Sequence, residues 1–262
     1  MDNSVYTISA RGKKLRQPVK EYFNTYFPNI PLKKIDSIFG FIEPTSLYSG
    51  RPFLTRQISD KDYEFLKENN IGLRIPFTNH YVSRKEYERY KPLFKKYHKK
   101  GNSIIITNDD FVNWLKADFP LYKIEASILK EIDSIEKLNK ALDLYDTVVL
   151  PMNVNYNTEL LENIEDKSRI TLFGNAGCAL TCPNRICYDY ISKRNKVLGS
   201  TNFLIRLSYY YFSFFVKRKW CMHKVKPRKL HGLKDFDIDK FYEMGFTRFK
   251  MLREHAGRKS GY

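Results

Sequence analysis

A chain of 262 residues with 42% hydrophobic and 29% charged residues has the composition of a folded protein with a sizeable core, which excludes a disordered or low-complexity chain. Its 46 Lys and Arg against 29 Asp and Glu leave a formal charge of +17. That excess favours anionic partners, RNA first, although a Lys-, Asn-, Ile- and Tyr-rich chain from an AT-rich genome reaches it by codon bias alone.

In chain order, residues 1–34 are basic and aromatic, with a Lys/Arg cluster over Arg11–Lys20 and two prolines within Phe23–Pro31. This stretch reads as an N-terminal arm or a cap on a domain spanning 35–262. Met1–Leu15 lacks the apolar run of a secretory signal. From residue 37 a rhythm begins. β-branched and aromatic runs stand at Ser37–Ile42, Ile71–Phe77, Ser103–Thr107, Tyr122–Ala126, Thr147–Leu150, Ile170–Phe173, His223–Val225 and Thr247–Met251. Amphipathic stretches alternate with them. Ser59, Ser83, Asp110, Ser134, Asn157 and Asp237 are expected to cap the helices, and Gly245 to close the last one. Eight strands alternating with helices predict an α/β fold, a TIM-like (β/α)8 barrel with a parallel sheet. A doubly wound sheet usually has a glycine-rich turn after its first strand. Here that position reads Glu43-Pro44-Thr45-Ser46. The one long departure is an insertion between the sixth and seventh predicted strands. Within it, Phe203–Val216 is short for a membrane span, carries Arg206 and is dominated by Tyr and Phe. A cytoplasmic protein away from membranes is expected, in a reducing setting that disfavours disulfides.

All four cysteines lie in that insertion: Cys178, Cys182, Cys187 and Cys221. Three sit on one short loop at the C-terminal end of a predicted strand, the face where barrel chemistry gathers. Converging thiolates are metal ligands. The compact triplet, with Pro183 after Cys182 and a remote fourth cysteine, suits a [4Fe–4S] cluster better than the paired knuckles of structural zinc, and zinc is the alternative. Cys221 precedes the run His223–Val225, so it reaches the triplet only if 188–220 folds back or that strand starts later.

These residues resemble the collagenase-like U-thirty-two peptidase family in Asp146-Thr147-Val148-Val149-Leu150-Pro151, in Asn175-Ala176-Gly177-Cys178 followed by Cys182-Pro183-Asn184-Arg185, and in Phe249-Lys250 followed by Gly257-Arg258. The resemblance implies a barrel whose four cysteines hold a [4Fe–4S] cluster. It further implies support of hydroxylation of RNA bases or of ubiquinone precursors, with an electron donor and, in some relatives, a heterodimer partner. Here Cys187 follows Cys182 closely and the last-strand segment is interrupted.

Strand ends supply the other candidates. Glu43 and Arg253 are the catalytic candidates; Asn175, Asn153 and Arg258 are the substrate-binding ones. Arg253 and Arg258 offer forked hydrogen bonds to a carboxylate or phosphate. Asn79, His80, Asn108, Asp109, Ser127, Glu254 and His255 occupy similar positions. Three functions follow: an iron–sulfur protein supporting redox modification of an RNA base or small aromatic substrate; a zinc-stabilised basic barrel that binds RNA; and a peptidase. The last lacks an H-E-x-x-H, a G-x-S-x-G or a spaced Cys–His pair.

Overall fold

A computed structural model describes residues 3–51, 53–177, 180, 186–200, 202–208 and 234–253; of Ile186 and Cys187 only the backbone is described. Eight parallel strands close into a barrel. They are β1 (Val5–Ser9), β2 (Ile35–Phe39), β3 (Gly72–Phe77), β4 (Ser103–Ile106), β5 (Lys123–Ala126), β6 (Thr147–Val149), β7 (Ile170–Phe173) and β10 (Arg248–Met251). A separate two-stranded ladder joins β8 (Asn175–Ala176) to β9 (Lys234–Asp235), antiparallel. The helices include α1 (Val19–Tyr26), α2 (Asp60–Glu68), α3 (Arg84–Tyr97), α4 (Asp109–Asp118), α5 (Ile135–Leu144), α6 (Thr158–Glu162), α7 (Ile186–Leu198) and α8 (Ile238–Glu243).

Two expectations are corrected. Residues 1–34 are not merely an arm or cap. They contribute β1, which pairs with β10 on one side and β2 on the other and so closes the barrel. The run Val5-Tyr6-Thr7-Ile8-Ser9 alternates like any half-buried strand, but the basic cluster after it masked the signal. The second correction concerns His223–Val225, which lies outside the described residues. β7 pairs directly with β10, Phe249 opposite Leu172 and Lys250 opposite Phe173. That ladder leaves no slot between them for another strand. The long stretch that carries the cysteines therefore runs between the seventh and eighth barrel strands, and Cys221 lies outside the described residues.

Local signals set the helices. Ser59 and Ser83 each form a reciprocal capping box with a carboxylate three residues on, Asp62 and Glu86. Ser134, Asn157 and Asp237 cap as expected. α4 differs: Asn108, not Asp110, accepts from the Phe111 amide. β4 ends at Ile106, so Asn108 still has the extended backbone a cap needs. Gly245 follows α8 with φ +94°, a left-handed closing position that favours glycine.

The outward residues of the strands, among them Ile8, Ile38, Leu73, Ile104, Ile124, Val148, Leu172 and Phe249, are fully buried under the helices. The barrel interior is unusually polar. The Thr7 and Ser37 hydroxyls hydrogen-bond, Arg74 Nε donates to Ser37 Oγ at 2.8 Å, Arg74 pairs with Glu125, and Thr147 donates to Glu125. These contacts link β3 to β5 and β6 across the barrel, where branched aliphatic layers are usual. Pro76 is tolerated in β3 because the β2 ladder ends at Arg74, so no partner waits for the amide that proline lacks.

Candidate functional site

A cavity opens at the C-terminal ends of the strands, and every barrel strand but β5 supplies a residue to it. Ser9, Phe39, Pro76, Ile105, Val149, Phe173 and Lys250 come from strands and Ser127 from just beyond β5. Loops after β1 and β2 add Arg11, Phe41, Arg51 and Gln57, and α7 adds Tyr188. The walls are aromatic and aliphatic, the charged groups are all cationic, and no Asp, Glu, His or Cys stands among the described lining residues.

Period-two alternation puts Lys250 here. Phe249 faces the helices and is fully buried, so Lys250 faces the barrel axis, 5% exposed. Its Nζ lies 3.9 Å from the centre of the Phe39 ring and 5.6 Å from that of Phe173. Burial pushes the ammonium down to about 8; Glu125 opposes that shift and Arg74 adds to it.

α7 is tied across the mouth by side-chain amides. Asn195 Nδ2 donates to the Tyr48 and Arg51 carbonyls at 2.7 and 2.8 Å. Asn79 Nδ2 donates to the Ser46 and Ser192 carbonyls at 2.7 and 3.0 Å. Lys196 pairs with Glu86, and Tyr81 donates to Asp189. The other flank of the cysteine run is anchored too. Ala176 packs with Val149, Met152, Phe173 and Leu252, and Gly174 passes so close to Met251 and Ile238 that any Cβ there would collide. The chain thus enters the cysteine run at Gly177 and leaves it into α7, both beside the cavity.

With this geometry the molecule can be set beside known ones. The fold is that of a U32 peptidase. A solved structure described as the U32 peptidase Mk0906 superposes with a TM-score of 0.61, covering 97% of this chain and 94% of that one at 10% identity. No family model matches the chain, and no curated protein matches it.

The site residues expected from sequence fall in different places. Cys178, Cys182 and Cys221 lie outside the described residues, as do Glu254, His255 and Arg258; Cys187 belongs to the first turn of α7. No metal-holding group of His, Cys, Asp and Glu occurs among the described residues. Ser127 lines the cavity. Asn175 stands beside it with both ends of its amide engaged, Nδ2 donating to the Leu252 carbonyl at 2.9 Å and Oδ1 accepting from its N–H at 2.7 Å. That clamp fixes β8 to the chain leaving β10. Glu43 accepts from Lys96 at 2.6 Å and from Tyr97 at 3.2 Å, outside the lining. Asn153 is exposed. Arg253 is buried with its guanidinium 4.1 Å from the centre of the Tyr26 ring, packed over Gly12 (φ +78°), where a Cβ would strike it. His80 lies off the lining; burial lowers its affinity for a proton, with Asp189 opposing and Lys130 assisting.

The sequence marked Lys250 only within the Phe249-Lys250 segment of the family resemblance, without a role, and gave no role to Tyr188 or the Phe39, Phe41 and Phe173 walls. The available signal was the inward phase of each strand's alternation, which becomes usable once the closed barrel says which face is inside.

Proposed function

We propose that this chain is an iron–sulfur protein supporting redox modification, a hydroxylation, of an RNA base or small aromatic substrate held in the mouth cavity. Cys178, Cys182, Cys187 and Cys221 are the proposed ligands of a [4Fe–4S] cluster, whose contribution would be electron transfer or an open iron position. The observation that carries the reading is the meeting of two features. Both flanks of the cysteine run stand at the mouth, and the mouth offers aromatic walls with cationic groups and no described acid. Flat rings stack on Phe and Tyr walls, and Arg11 and Arg51 suit an attached anion. The formal charge of +17 favours a nucleic acid as the carrier of that ring. The described lining residues include no Asp, Glu, His or Cys, so among them no carboxylate, imidazole or thiol is present to activate water or a nucleophile for peptide hydrolysis.

Anaerobic purification followed by metal and sulfide analysis tests the reading. A brown protein with about four iron and four sulfide per chain is expected, and each Cys→Ala substitution should lower the iron content. A colourless protein with about one zinc would replace the redox reading by a structural metal on an RNA-binding barrel.

A further inference from the structure

We propose that Lys250 is a reactive amine that condenses with an aldehyde or ketone entering the mouth cavity and holds it as an imine. The inference needs the cavity alone and neither a metal nor the redox chemistry.

Lys250 is 5% exposed, and it lines the cavity from β10. Its ammonium has three hydrogens to donate, yet among the described residues its Nζ makes ring contacts with Phe39 and Phe173 and no hydrogen bond or ion pair. Elsewhere in this molecule a buried lysine is treated differently. Lys13 Nζ donates to the Asp62 carboxylate at 2.7 Å and to the Gln57 carbonyl at 3.0 Å. The charged groups around Lys250 come from several elements. Arg74 on β3 and Glu125 on β5 lie deeper in the barrel, with Glu125 already paired to Arg74. Arg11 and Arg51 line the cavity from the loops after β1 and β2. None of them is a carboxylate bonded to the lysine. A buried, unpaired lysine among aromatic rings releases its proton readily, and the neutral amine is the nucleophile.

The step balances without an oxidant. The nitrogen lone pair attacks the carbonyl carbon and forms a C–N bond. The carbonyl oxygen departs as water with the two amine hydrogens, leaving C=N. The Ser9 and Ser127 hydroxyls line the same cavity, where a departing oxygen finds donors. The walls select the carbonyl compound: a flat aromatic ring between Phe and Tyr faces, with a negative group toward Arg11 and Arg51.

The test uses 4-formylbenzoate at limiting concentration with cyanoborohydride, which reduces an imine to a stable amine, followed by peptide mass mapping of the full chain. Lys250 is expected to be modified at least tenfold faster than the median surface lysine. Relative to those lysines its rate should hold level below a pH near 8 and fall above it, because their neutral fraction keeps rising toward about 10.4. Lys250→Arg should remove the fast-labelled site and leave the slow ones. If that variant does not fold, the map of the unmodified sequence decides alone. Labelling of Lys250 at or below the surface rate would overturn the proposal. So would plain benzoate binding while 4-formylbenzoate leaves Lys250 unmodified, which would mark the cavity as an anion site.

Discussion

Arg74 carries the polar interior of the barrel. Its guanidinium reaches Glu125, Asp36 and Ser37 at once, and Glu125 Oε1 has no partner among the described residues. Removing one member of a buried pair leaves the other charge stranded, at a cost of about 3–5 kcal/mol. Glu125→Leu should therefore destabilise the fold by that amount in urea titrations, and adding Arg74→Met should restore most of it. Asp36 gives a pH signature. Burial works to raise its carboxyl, but Arg74 and Arg248 outweigh burial and hold it below the ordinary carboxylate range. Its folded value then lies below its unfolded one. The stability it contributes is complete above the unfolded value of about 4 and disappears as pH falls through the lower folded value. Asp36→Asn should flatten the loss of stability below about pH 4, read as urea midpoints across pH. Little of this was legible in the sequence. Arg74 and Lys250 look like outward charges on half-buried strands, because alternation reports two faces without saying which is inside. Glu43, Asn175 and Arg253 were found as strand-end polar residues, but their partners come from segments tens to hundreds of residues away.

At the scale of elements, the local rules held where the chemistry is local. Serine caps and their carboxylates lie within four residues of each other, so sequence alone locates α2 and α3. α7 is the opposite case. Its position over the mouth depends on Asn79 and Asn195, whose acceptors lie 113 and 144–147 residues away. Asn195→Ala leaves the Tyr48 and Arg51 carbonyls unmatched in a buried place, a loss of about 1–3 kcal/mol. Amide exchange in α7 should accelerate while that in α3 stays unchanged. Faster exchange in both helices would mean that the asparagine supports the whole fold rather than the covering helix.

For the whole molecule, the decisive element is the one the sequence hid. β1 is bonded to β2 and to β10, so deleting residues 1–9 would leave two open strand edges in place of a closed ring. Open edges template association. The truncated chain should form larger aggregates or oligomers by light scattering than the full chain does at the same concentration. Lys13, from the basic cluster beside β1, is buried against Asp62, so part of that charge holds the structure together.

The pairing of β1 with β10 also sets the order in which the molecule can be made. The paired residues lie 243 positions apart, as Val5 and Arg248 do. At about 5–20 residues per second, a ribosome needs roughly ten to fifty seconds to deliver the second after the first. Through that interval the nascent chain is an open sheet with β1 at one margin, and neither margin is protected until the last strand emerges. Anything that slows synthesis within the long insertion before β10 lengthens that exposure. The yield of native protein should then depend on translation speed there, even for changes that leave every amino acid the same.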